Sequence, residues 1–182
     1  MARAYHSERL HPNSVEAVVS RFNEAFVHRA IRRYLKANGW TLVAGQWPGG
    51  TNNHLHTLYI VDPTIAKDSS PDPRRHSLDK FVPDVVALKN SVLLIIEAKT
   101  SYSHDDFAKL QRLLLERRED LYAALRTFGR ERSFTLLLEP ELLSIRPALA
   151  FRAGAAHPPV TPPWVMFLVD HQGTVEPEGN LL

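Results

Sequence analysis

Apolar positions along this chain repeat with two periods, one helical and one extended. From Ser14, residues Val15, Val18, Val19, Phe22 and Phe26 fall on one stripe, which predicts an amphipathic helix. Asn13 or Ser14 is its N-cap, and Asn38-Gly39 is its stop signal. In its second half the apolar face drifts to Val27, Ile31, Tyr34 and Leu35, a width that predicts cover on more than one side. Trp40 to Ala44 reads as a short strand. Gly45 to Asn53 reads as a loop, because it holds Pro48, two adjacent glycines and two asparagines. Leu55 to Val61 reads as another strand. Asp62 to Lys80 is polar and proline-rich, a length of loop uncommon unless it is functional.

Two strong strands follow, Val82 to Leu88 and Val92 to Lys99. Ser103, with Asp106 three residues later, resembles a capping box. A long helix is then predicted from about Asp105 to Phe128, ended by Gly129, with Phe107, Leu110, Leu114, Leu121 and Leu125 on its apolar face. Ser133 to Leu138 reads as a buried strand, His157 to Pro163 as a stiff connector, and Trp164 to Val169 as the last strand. The order helix, strands, helix, strand, strand predicts an α/β fold with a mixed central sheet flanked by helices.

Composition narrows this picture only a little. A chain of 182 residues is one domain's worth and buries a core without disulfides. Cysteine is absent, which excludes disulfides and thiolate-bound zinc or iron–sulfur sites. The N-terminus lacks the apolar stretch of a signal peptide, and Trp164 to Val169 is too short to cross a bilayer. The expectation is a cytoplasmic protein with no membrane partner. Net charge is +2 and the pI about 9.0; only six of the 22 basic residues are lysine. Arginine suits bidentate phosphate contacts.

The chemistry gathers on the two strong strands. With a two-residue turn at Asn90-Ser91, Lys89 pairs with Val92 and Asp84 faces Glu97, their Cβ atoms about 4.5–5.5 Å apart. With a turn at Lys89-Asn90, Asp84 faces Ile95 and Glu97 is its diagonal neighbour on the same face. A three-residue loop without a bulge would separate the two carboxylates onto opposite faces. Lys99 follows Glu97 by two residues and shares its side of the strand. Two facing carboxylates repel in a partly buried site and call for compensation, which a hard divalent cation such as magnesium supplies. Lys99 would orient or help deprotonate the attacking water, or neutralise developing charge.

At Pro83-Asp84, followed after twelve residues by Glu97-Ala98-Lys99, the sequence resembles the PD-(D/E)xK nuclease superfamily, which includes restriction endonucleases and DNA-repair nucleases. The resemblance spans about residues 14 to 140, within a single domain of residues 1 to 182 whose last part, 141 to 182, is a C-terminal strand extension. It implies a restriction-endonuclease-like αβββαβ core with the motif on the second and third strands. It implies Asp84, Glu97 and the Ala98 carbonyl as ligands of Mg²⁺ or Mn²⁺, Lys99 as the catalytic lysine, and Glu24 on the first helix as a further ligand. The function it implies is metal-dependent DNA hydrolysis, as an endonuclease rather than an exonuclease, with a homodimer as a natural way to cut both strands. The rivals are a non-catalytic DNA-binding or assembly module of the same fold, and a nuclease subunit of a larger defence, transposition or repair complex.

Other residues carry weaker signals. Glu24 also reads as a helix-surface residue paired with His28 four positions on. Pro71-Asp72 repeats the dipeptide, but in a loop context. His54 and His56 share one side of a strand and form a conceivable metal pair or a solvated edge. His104 is a turn residue or lies near the site. Lys109 and Gln111 follow the motif, but Leu115 replaces the tyrosine of the exonuclease-type glutamine signature. Arg74, Arg75 and His76 are either phosphate contacts or a solvated loop. Trp47 and Tyr59 are expected in the core, with base stacking as the alternative.

Overall fold

The computed structural model describes residues 22–47, 55–62 and 80–182. The first helix, α1, spans Glu24–Ala37. Asn23 is extended, and its side chain accepts the Phe26 N–H at 2.9 Å, so it is a true N-cap. Among the described residues this helix begins at Glu24, and the stretch expected to be helical from Ser14, with the caps read at Asn13 and Ser14, lies outside them. The stop signal works as read: Asn38 is the C-cap and Gly39 takes a φ of 76°.

Strand β1 (Thr41–Gly45) pairs antiparallel with β4 (Val85–Lys89), which pairs antiparallel with β5 (Val92–Ala98). Between them, β2 (Ile60–Val61) and β3 (Lys80–Phe81) form a separate two-stranded ribbon. The strand expected over Leu55 to Val61 is thus reduced to its last two residues. The β4–β5 turn is Asn90-Ser91, with Asn90 at φ 54° and Lys89 paired to Val92. Asparagine tolerates that left-handed conformation, which tight hairpin turns require.

One long helix was expected after β5, and two are found: α2 (His104–Leu115) and α3 (Arg118–Arg132). The break falls in the charged run Glu116-Arg117-Arg118-Glu119-Asp120, where no apolar side chain continues the stripe. Gly129 does not end the helix; it lies inside α3. A Cβ there would approach the Phe134 carbonyl oxygen to 2.9 Å and Leu137 Cβ to 3.0 Å, so this glycine allows close approach. Ser133, at φ 60°, closes the helix instead.

The buried strand expected over Ser133 to Leu138 is a second correction. That stretch forms short 3₁₀ turns at Thr135–Leu138 and Pro140–Leu142, and of Leu136, Leu137 and Leu138 only Leu137 is buried. A three-residue apolar run, Leu136 to Leu138, has no period that distinguishes strand from turn. The strand is β6 (Ser144–Arg152), parallel to β5 and central in the sheet. It lies beyond residue 140, in the part read as an extension. Pro147 disguises it, yet β7 (Val165–Val169) joins β6 only from Ala148 onward, so the proline has no ladder to break on that side. Strand β8 (Val175–Glu178) adds an antiparallel edge that carries Pro177, so Val165–Val169 is not the last strand.

The result is an α/β fold with a mixed six-stranded sheet, ordered β1-β4-β5-β6-β7-β8, and three helices among the described residues. Alternation along the strands splits the core in two. Val85, Ala87, Leu94, Ile96 and Phe167 face α1. Val86, Leu88, Leu93, Ile95 and Phe151 face α2 and α3. All seven residues of β5 are buried, because it is paired on both edges and covered on both faces. No described helix is long and apolar enough to cross a membrane.

Candidate metal centre

The sheet places the motif at the end of two adjacent central strands. Val85 pairs with Ile96, so one further step in the same register sets Asp84 opposite Glu97, as the Asn90-Ser91 turn predicts. Asp84 is held from two elements. The Ala98 N–H donates to its Oδ2 at 2.8 Å, and the Gln46 N–H donates to its backbone carbonyl at 3.1 Å. Gly45 makes room for this: a Cβ there would lie 2.6 Å from the Asp84 carbonyl oxygen.

Glu97 lies on the same strand face as Ile95, toward α2, and is 7 % exposed. Its Oε1 has no hydrogen-bond partner. Burial first, then the neighbouring charges of Asp84 and Asp106, pushes its carboxyl well above the usual range of about 4.5, against the pull of Lys99 and Lys109. Asp106 is itself buried, in the first turn of α2, where Ser103 caps the helix and Lys109 stands 3.3 Å from it. A carboxylate cluster left short of compensation suits a bound cation.

Lys99 lies just past β5, its N–H bonded to the Ala150 carbonyl. Its ammonium stands 3.4 Å from Glu24 Oε1, and both side chains are 38 % exposed. Burial lowers its affinity for a proton, but the carboxylates of Asp84, Glu24, Asp106 and Glu97 together outweigh that and raise it above the ordinary value. An open groove of about 390 Å³ adjoins it, lined by residues 99–105, with Lys99 at one end and the carboxylate of Asp105 at the other.

The predicted site residues Glu24, Asp84, Glu97, Ala98 and Lys99 therefore come together where α1 and α2 both begin. Two more residues join them that the sequence did not single out for the site. His28 reads from sequence as a surface partner of Glu24, but it is fully buried on α1, with Nε2 3.5 Å from Asp84 Oδ1. Donor atoms of Glu24, His28 and Asp84 lie within 4.8 Å of one another. The available signal was its place on the stripe shared with Glu24, Ile31 and Leu35. Asp106 was legible only as a capping residue.

Other candidates separate from the site or change role. Trp47 packs its ring 6.0 Å from the His28 ring, with the Arg32 guanidinium 5.1 Å from its own centroid. Tyr59 is exposed rather than in the core, with Lys80 over its ring. His104 is exposed at the start of α2, Lys109 pairs with Asp106, and Gln111 and Leu115 face outward. His56 is exposed, while His54, Asp72, Arg74, Arg75 and His76 lie outside the described residues.

No family model, no curated protein and no solved structure matches this chain.

Proposed function

We propose that this protein is a metal-dependent endonuclease that hydrolyses DNA phosphodiester bonds, with Mg²⁺ or Mn²⁺ held by Asp84, Glu97, the Ala98 carbonyl and Glu24. The observation that carries this reading is Glu97: a buried carboxylate with an orphan oxygen, opposite a second carboxylate, at the ends of paired strands. The helix–three-strand–helix–strand order, with β6 parallel to β5 after the helices, supports a restriction-endonuclease-like core. The donor set fits a hard or borderline divalent ion, because Glu97 Oε1 has no hydrogen-bond partner and Asp84 and Asp106 add like charge beside it.

A bound divalent cation supplies Lewis acidity to a phosphate oxygen and acidity to a water. The chain's own part is to fix Asp84 through the Ala98 N–H and to hold Lys99 beside the carboxylates. Lys99 there would orient or help deprotonate the attacking water, or neutralise charge developing on the phosphate. The groove offers the Lys99 cation and the hydroxyls of Thr100, Ser101 and Ser103 to a passing phosphate backbone, which would lie toward Lys99 and away from Asp105.

The test is cleavage of linear and circular DNA with Mg²⁺ or Mn²⁺, comparing wild type with Asp84→Ala and Lys99→Ala. Nicked circles from wild type and loss of cutting in both variants support the proposal. Binding without cutting would favour the non-catalytic module. Full cutting by both variants would refute the site.

A further inference from the structure

We infer that His28 is a direct nitrogen donor to the cation at this site, and that it tilts the site's preference from magnesium toward manganese. The inference rests on the metal reading above and adds a ligand and a selectivity to it.

Four observations carry it. His28 is 0 % exposed, and neither ring nitrogen has a hydrogen-bond partner. A buried polar group in that condition is uncommon and unfavourable unless something else engages it. Its place on α1 is one turn beyond Glu24, so both side chains reach the same spot. The 3.5 Å between Nε2 and Asp84 Oδ1 is long for a hydrogen bond. It falls between the separations of about 3.0 Å and 4.2 Å that adjacent and opposed ligands keep around an octahedral ion at about 2.1 Å. The wider spread of the set with Glu24, up to 4.8 Å, closes by movement of a glutamate side chain that is 38 % exposed.

The surroundings leave the imidazole few other uses. The Trp47 ring covers it on one side, and Arg32 stacks over Trp47. Asp84 is the one charged side chain in ion-pair range of His28 among the described contacts, and its Oδ2 is already taken by the Ala98 N–H. Magnesium favours a shell of oxygens and keeps its waters. Imidazole suits first-row transition ions, and manganese accepts both donor types.

The experiment is a Mn²⁺ titration of the full chain followed by paramagnetic resonance, with Mg²⁺ competition, on wild type and His28→Gln. The glutamine keeps a polar side chain in the helix but removes the imidazole. Wild type is expected to show nitrogen coupling to bound Mn²⁺. The variant is expected to lose that coupling and to lower the Mn²⁺-to-Mg²⁺ affinity ratio on the order of tenfold or more, since removing even an indirect partner of a ligand costs that much. Mn²⁺ bound without nitrogen coupling, coupling that persists in His28→Gln, or an unchanged ratio would overturn the inference and leave the carboxylate site standing. Failure of wild type to bind either ion would overturn both. Absence of the wild-type nitrogen signal overturns the inference even where the variant does not fold, and a His104→Gln control that keeps the coupling assigns it away from the neighbouring imidazole.

Discussion

Replacing Glu97 by glutamine changes one charge and almost no volume, at a position where the metal-free fold handles that charge poorly. The side chain is 7 % exposed, its Oε1 has no hydrogen-bond partner, and Asp84 and Asp106 add like charge. A buried acceptor left unsatisfied costs about 1–3 kcal/mol, more when charged. For a chain of this size each kcal/mol moves Tm by about 2–4 °C, so Glu97→Gln is expected to melt roughly 2–12 °C above wild type in chelator. The sign with pH follows from linkage. The folded carboxyl sits above its ordinary value near 4.5, so its contribution is fully present below that pH and is lost as pH rises through the folded value. The gap between variant and wild type should therefore be small in acid and open above about pH 4.5. On the proposed metal reading, saturating Mg²⁺ or Mn²⁺ should close or reverse this gap. At a concentration 100-fold above Kd, wild type gains about 2.7 kcal/mol, roughly 5–11 °C, and the variant gains little. Thermal unfolding by circular dichroism across that pH range, with chelator and with metal, reads all three effects. A variant that melts below wild type in chelator, or that gains as much from metal, would refute the reasoning.

Three further outcomes test the fold itself. Asn90→Ala should lose about 1–2 kcal/mol in urea unfolding, because alanine resists the left-handed φ of 54°, while Asn90→Gly should be near neutral. Gly129→Ala should destabilise α3 by about 1–3 kcal/mol in spite of alanine's better helix propensity, since its Cβ would meet the Phe134 carbonyl at 2.9 Å. Asp170 accepts the Gln172 and Thr174 N–H groups at 2.8 Å each, which holds its carboxyl below the usual range. Its contribution is present above about pH 3.8 and is lost as pH falls, so Asp170→Asn should melt below wild type at neutral pH and converge with it in acid.

The parts of the molecule legible in sequence are those that local pattern decides. The β4–β5 hairpin is one: unbroken apolar strands around Asn90-Ser91 set the register and with it the facing of Asp84 and Glu97. The break between α2 and α3 and the position of β6 were misread, and each depends on tertiary contact. Asn23 caps α1 at Glu24 through a side-chain geometry that periodicity does not see. Strand β6 tolerates Pro147 because its ladder with β7 starts one residue later, at Ala148. Glu24 was legible as an odd charge beside an apolar stripe. His28 was not, because a histidine on a helix face has no fixed meaning until its burial is known.

The tie between the Ala98 N–H and Asp84 has a consequence for how this chain can change over evolutionary time. Twelve residues separate Asp84 from Glu97, and their two strands meet in a turn of minimum length. A single-residue insertion or deletion within a strand, with the remaining pairs kept, would turn Glu97 toward α1 and away from Asp84. Length variation there should come in even steps. Related sequences that keep the two facing carboxylates should show it as a rule of indels, visible in length alone.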